Sequence, residues 1–328
     1  MEEIIKDYLS KLAFGEIQKY QNMVVIPVFS PITNNLQYIT LKEAIKKKKL
    51  VVKEVSISGS VPTLKVTNKA NICVLILDGE ELAGAKQNRI VNTSILLKRK
   101  SKTTIPVSCT EQGRWSYTSR RFDDSDFIAF QELRKKKTAS VSDSLKYRNQ
   151  FIADQYEVWN EIKMKFAQTK TSSPTGAMKD AFESSKDNLD NFLNAFKCEP
   201  EQKGLFVIIN GEVAGMDAVS LESAYKVLHP KLVKSYAMDA MMRNEKENNG
   251  EPMKKAKDFL DNAAKCEDKK YKSIGNGWDY RLEGKNIVGS ALLYKETVVH
   301  ISLFNFKKSD RIVRFPGRFR CFNNGIIF

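Results

Sequence analysis

An α+β fold with a β-rich amino-terminal sheet domain is what this sequence predicts, on three observations. From Leu50 to Ser108 the chain breaks into short apolar runs rich in β-branched residues, VVKEVSIS, TLKVT, ICVLIL, NTSILL and TTIPVS, the pattern of at least five strands. From Leu145 to Phe196 apolar and aromatic residues recur instead at helical spacing. Beyond Gly204 strand patterns return between further helices, and such strands can join the same sheet system.

Taken in order, Ile4, Ile5, Tyr8, Leu9, Leu12 and Ile17 predict an amphipathic helix over residues 2–19. MVVIPVFSP follows, apolar throughout as a strand covered on both faces would be, with Pro27 pointing to an edge or a bulge. Thr40 and Glu43 have capping-box spacing and predict a short helix that ends in the run Lys46 to Lys49. Within the β region VVKEVSIS alternates, so that strand is half exposed, whereas ICVLIL reads as central and buried.

Residues 119–140 are charged and lack a period, so SRRFDDSD and RKKKTAS read as a mobile connection. This divides the chain into a β-rich domain over 1–118, a polar connection over 119–140, a second α+β part over 141–306 and a basic tail over 307–328. In the second part, helices are expected over about 145–166, 179–196, 220–243 and 253–266. A hairpin is expected at Asn210-Gly211, and three strands at WDYRLEGKNIVGSALLYKETVVHISLFNF. LDGEELAG, INGEVAG and LEGKNIVG echo one another, as hairpins with glycine in the turn do for steric reasons.

At 328 residues and 42% hydrophobic residues the chain can form a sizeable core. Lys and Arg total 54 against 39 acidic residues, a net +15, with local clusters at Lys46–Lys49, Lys98–Lys102, Arg134–Lys137 and Arg311–Arg320. Such fields attract phosphate-bearing partners, although each cluster also reads as a solvated face. Five cysteines are scattered without a CxxC pair, which argues against a disulfide framework or zinc finger. The amino terminus has no secretory pattern and no run is long enough to span a membrane, so a cytoplasmic protein with no membrane partner is expected.

The densest chemistry lies between Leu77 and Tyr117, in LDGEELAGAKQNRIVNTSILL and IPVSCTEQGRWSY. Glu80 and Glu81 are neighbours on an extended chain and point to opposite sides, so neither is the other's acid/base partner. Either could face Glu111 across a sheet and serve hydrolysis of an N-glycosidic or phosphoester bond, or could pair with Arg89 or Arg114 and hold a loop. Lys86, Gln87, Asn88 and Arg89 follow two small residues, a combination suited to phosphate, ribose and base edges. The segment lacks the Walker and dinucleotide fingerprints. Cys109 is a candidate nucleophile if a base such as His300 approaches it, and an inert buried thiol otherwise. Trp115 and Tyr117 alternate onto one face and can stack on a base or pack in a core. His229, before Pro230, reads as a cap or surface residue. The residue types present predict no metal and no cofactor.

These two blocks, with VVIPVFSP and ITLKEA before them and VIINGEVAGMDA, HPKLVKSYAMDA and GSALLYKETVVHISLF after, resemble the ARPP family, a domain named for its association with ADP-ribosylglycohydrolases and rhodanese-phosphatases. The likeness runs over residues 20–306, and the positions matching its motifs are Gly79, Glu80, Glu81, Gly84, Ala85, Lys86, Gln87, Asn88, Arg89, Cys109, Glu111, Gly113, Arg114 and Trp115. The resemblance implies a place in NAD or ADP-ribose metabolism. The expected function is therefore binding or hydrolysis of a nucleotide ligand. The alternative is a non-enzymatic module that binds nucleic acid or protein through the basic clusters.

Overall fold

The computed structural model describes residues 1–32, 35–243, 250–307 and 310. A nine-stranded antiparallel sheet is its backbone. The strand order begins β1 (Ala13–Phe14), β3 (Met23–Phe29), β13 (Gly204–Ile209), β14 (Glu212–Val219), and continues β18 (Thr297–Asn305), β17 (Ile287–Tyr294), β16 (Trp278–Glu283), β15 (Glu267–Lys272). β2 (Gln18–Tyr20) also pairs with β3. Strands from both ends of the chain thus share one sheet, because β3 lies against β13 from Val28↔Gly204 to Met23↔Ile209.

The all-apolar sequence of β3 follows from this placement. Val24, Ile26 and Val28 join the core beneath α1 (Glu3–Ser10) and α8 (Pro252–Ala263), while Met23 and Val25 join the core on the opposite face. That opposite core is packed by α3 (Gln131–Arg148), α4 (Gln155–Thr169), α5 (Met178–Ser184), α6 (Lys186–Ala195) and α7 (Glu222–Ala240). Pro27 is neither at an edge nor at a bulge, as the sequence suggests. Partner β2 reaches only to Val25 and β1 begins at Val28, so the proline nitrogen falls in the gap between them. The amino-terminal helix is also shorter than its apolar spacing implies, since Ile17 belongs to the turn before β2.

The β-rich region closes into a barrel, β11 (Ser101–Cys109), β6 (Thr63–Asn68), β5 (Leu50–Glu54), β12 (Phe122–Ile128), β8 (Glu80–Gly84) and β9 (Arg89–Val91). A small sheet lies beside it, with the ICVLIL strand β7 (Cys73–Ile76) between β10 (Ile95–Leu97) and β4 (Tyr38–Thr40). α2 (Leu41–Lys46) carries the capping box: the Thr40 hydroxyl accepts from Glu43 N and the Glu43 carboxylate accepts from Thr40 N.

Where the sequence reads a mobile connection over 119–140, the chain forms β12 and the first half of α3. α3 has no apolar stripe because its buried positions are largely polar: Arg134, Lys137, Thr138 and Ser140 are all withdrawn from solvent. The acids that receive these cations come from distant strands and turns, so local sequence gives no sign that RKKK is interior. Pro230 lies inside α7, and His229 beside it is buried, against the surface or capping role expected from the sequence; its ring bonds the Tyr225 hydroxyl and Phe196 O.

Candidate functional site

The β8–β9 hairpin turns over Gly84 to Asn88, and the chain needs glycine at Gly84, where φ is +111° and a Cβ would lie 2.6 Å from Ser119 Oγ. Ala85 follows in the left-handed region at φ 42°. What holds it there is the 111–119 segment: Ala85 O accepts from Thr118 N and from Arg114 Nη1, and Ser119 Oγ accepts from Ala85 N. Arg114 in turn grips Glu111 with both arms, at 2.7 and 2.5 Å. Glu111 also accepts from Asn88 N and from the Thr175 hydroxyl. Burial would raise its pKa, but the bonds from Arg114 and Thr175 hold it below the usual carboxylate value. Glu111 and Arg114 therefore form the bracket that joins the two sequence blocks.

Arg89 is 0% exposed, and it is the unusual member of the group. Its Nη1 donates to Gln87 Oε1 at 2.9 Å and to Asn88 O at 3.2 Å, while Nε and Nη2 have no hydrogen-bond partner. The guanidinium lies 5.5 Å from the centre of the Trp115 ring. Over the same region Lys86 Nζ stands 5.1 Å from Trp115 and 5.2 Å from Tyr117, and bonds Ser58 O. A side chain at Gly59 would touch Trp115, Lys86 and Glu54, so the 55–62 loop closes over this group. Trp115 and Tyr117 remain 42% and 49% exposed, which is enough to present ring faces to a ligand.

Of the four residues with candidate catalytic chemistry Glu80 stands apart, whereas Glu111 lies near enough to Glu81 and Cys109 to act on both, and its backbone oxygen accepts from the Cys109 thiol at 3.4 Å. Glu80 and Glu81 do point to opposite sides. Glu80 receives Lys231 Nζ at 2.8 Å, and that ammonium also spans Asp124, the two carboxylates raising its pKa despite burial. Glu81 accepts from the Thr110 hydroxyl at 2.7 Å, and Ser125 stands close enough to act on its carboxyl, although the second oxygen makes no hydrogen bond of good geometry. Burial pushes its pKa from 4.5 to about 7. The Cys109 thiol is buried, donates to Gln87 Oε1 at 3.0 Å and is pushed up by burial. His300 does not approach Cys109.

His300 belongs instead to a buried network that sequence reasoning missed. It bonds Ser94 Oγ at 2.8 Å through Nδ1, and its Nε2 lies 3.4 Å from Asp217. These three have the order of a hydrolytic triad but not its access. Ser94 Oγ already accepts from Asp78 N, Asp217 is gripped by Arg134 and the Tyr236 hydroxyl, and all three are nearly or fully buried. Lys137 pairs with Asp78 and donates to Asn92 O. Thr93 bridges Asp279 and Arg281. Burial alone would raise Asp217, but Arg134 beside it holds it far below the usual range, whereas burial raises Asp279 and lowers Lys137. A signal was present: Asn92, Thr93 and Ser94 are three consecutive polar residues between the apolar strands β9 and β10, an interruption that a buried strand pair tolerates only when each polar group is bonded.

Fold and site define an α+β protein with a six-stranded barrel and a nine-stranded sheet, in which α3 pairs with Asp217 of the sheet and with Asp78 in the turn before the barrel strand β8, and in which an exposed tryptophan ring covers a buried arginine at one hairpin turn. The chain belongs to the ARPP-1 family, the ARG and Rhodanese-Phosphatase-superfamily-associated Protein domain, whose model matches residues 11–304. No curated protein and no solved structure matches it. Among the described residues no helix is long and apolar enough to cross a membrane.

Proposed function

We propose that the chain binds a phosphate-bearing nucleotide of the ADP-ribose or NAD class at the β8–β9 turn. The observation that carries this reading is Arg89: a guanidinium withdrawn from solvent, with two donor nitrogens unbonded and an exposed indole above it. A buried guanidinium with two of its three nitrogens unbonded is costly, and a phosphate oxygen admitted beside them would supply what they lack. Trp115 and Tyr117 would receive the base by stacking, with Lys86 between them as a second cation. Gln87, Asn88, Glu111 and Arg114 act as the frame that fixes the turn. The association named in the family description accords with such a ligand.

Glu81 keeps one carboxyl oxygen without a hydrogen bond, and burial raises its pKa to about 7, whereas Glu80 is held by Lys231 and the Cys109 thiol is bonded to Gln87, so cleavage of the ligand would draw on Glu81. The test is thermal-shift titration with ADP-ribose, NAD and AMP at low and high salt, with the incubated nucleotides then resolved by chromatography. Stabilisation that survives salt and is lost in Arg89→Met and Trp115→Ala is expected. Equal stabilisation of both variants would refute the site, and recovery of intact ligand would limit the activity to binding.

A further inference from the structure

A second surface lies away from this turn, at the free edge of the nine-stranded sheet. β15 is the last strand in the order, and Lys270 and Lys272 pair across to Tyr280 and Trp278 on β16. Both ammonium groups stand 4.6 Å from the centre of the Trp278 ring, which is 41% exposed. The bend before Trp278 is bonded to the small sheet: Asn276 N donates to Leu96 O at 2.7 Å, and Asn276 Nδ2 to Cys73 Sγ. Directly after β10 come Lys98, Arg99 and Lys100, all exposed. Their turn has a fixed backbone, since Asn68 Nδ2 donates to Lys98 O and Lys100 N to Ala70 O. Arg99 is near enough to Cys73 to act on its thiol, which places the basic turn beside the Asn276 bend.

Lysines on an edge strand guard against pairing with another chain, and that alone would account for Lys270 and Lys272. It does not account for an exposed tryptophan between them, because a large apolar ring at a free edge favours the association that the lysines oppose. The interior cations Arg134, Lys137, Lys165 and Lys231 are each matched by a carboxylate, whereas these five form no ion pair among the described residues. Unmatched cations following one after another, with an aromatic face among them, fit a flexible polyanion carrying stackable rings. An acidic peptide would use the charges and leave the indole unexplained. A duplex has no free base face to offer it.

We propose that the strip formed by Lys98, Arg99, Lys100, Lys270, Lys272 and Trp278 binds single-stranded nucleic acid, with the phosphates on the cations and a base stacked on Trp278. It is separate from the nucleotide site at Arg89, and the two can stand or fall independently. The test is fluorescence anisotropy with a labelled oligouridine of about 12 nucleotides, titrated against the full chain across a range of salt. If about four phosphates are neutralised, log K falls with log salt at a slope near −3, at roughly 0.7 per phosphate. Trp278→Ala should weaken binding about tenfold, within the range for loss of one base stack. K98A/R99A/K100A should lower both the affinity and the salt slope, and K47A/K48A/K49A at the end of α2 should change neither. All these side chains are at the surface, so the variants will fold. Absence of binding at low salt, an unchanged affinity in Trp278→Ala, equal loss in the α2 variant, or equal binding of a duplex or an oligoglutamate would each overturn the proposal. Comparison of oligouridine with oligothymidine then shows whether the 2′-hydroxyl contributes.

Discussion

Replacing Glu81 by Gln should stabilise this protein in alkaline solution and leave it nearly unchanged in mild acid. The Glu81 carboxyl is fully buried on β8, with one oxygen bonded to the Thr110 hydroxyl and the other without a hydrogen bond of good geometry. Desolvation, the dominant influence, carries its pKa from 4.5 to about 7. Because the folded value lies above the unfolded one, the unfolded chain releases this proton first. Stability therefore falls as pH rises from the unfolded value, and the full cost is reached above about 7. At about 1.4 kcal/mol per pH unit, this rise amounts to about 3 kcal/mol. Glutamine has the shape of the protonated acid, keeps the acceptor for Thr110 and carries no charge. Urea unfolding of both proteins at about pH 5 and about pH 8.5 isolates the effect, since other titrations cancel in the difference. The variant should match the parent to within about 1 kcal/mol in acid and exceed it by about 3 kcal/mol in base. A difference that does not change with pH would refute the reasoning and show that the neighbouring Ser125 hydroxyl donates fully to the second oxygen.

Other substitutions probe the interior ion pairs and the turns. Asp217→Asn leaves Arg134 buried and uncompensated, and should cost about 3–5 kcal/mol in urea unfolding at neutral pH. The depressed pKa of Asp217 means that its contribution is present above the unfolded value and disappears only as pH falls through the folded one, so the penalty should shrink in strong acid. Thr40→Ala removes the capping hydroxyl of α2 and should cost about 1 kcal/mol, read from the same curves. At Gly277, φ is +89° and an added Cβ would lie 2.0 Å from Leu293 O. Gly277→Ala should therefore lower the melting temperature by several degrees more than Thr40→Ala, and an equal shift would show that the β16–β17 edge yields.

Much of the fold was legible locally. Apolar runs located β5, β6 and β11 of the barrel and β7 and β10 of the small sheet, while β12 fell in the stretch that reads as a connection; helical stripes located α4, α7 and α8 and, as one helix over 179–196, the pair α5 and α6; and the Thr40/Glu43 spacing located the cap of α2. The α3 segment was not legible, for a physical reason: a helix whose buried positions are mostly polar, with Leu133, Val141 and Leu145 the apolar exceptions, has no hydrophobic period. Its meaning lies in Asp217 and Asp78, 83 and 59 residues away in the chain. The bracket of Glu111 and Arg114 was within reach of sequence reasoning, because the two are three residues apart and belong to one block. The triad-like contact of Ser94 with His300 was not, since it spans 206 residues.

Residue order alone established the α+β class, the two motif blocks and the family they mark, because strand period, helix period and turn chemistry act between near neighbours. It also established that Glu80 and Glu81 part company, since an extended backbone alternates its side chains. Tertiary structure decided which charges face water and which lie in the core. RKKK has the composition of a solvated run, yet Arg134 and Lys137 are interior, while KRK at 98–100 has the same composition and remains outside. Burial of a charge depends on whether a carboxylate meets it there, and chain crossings far apart in sequence set that meeting.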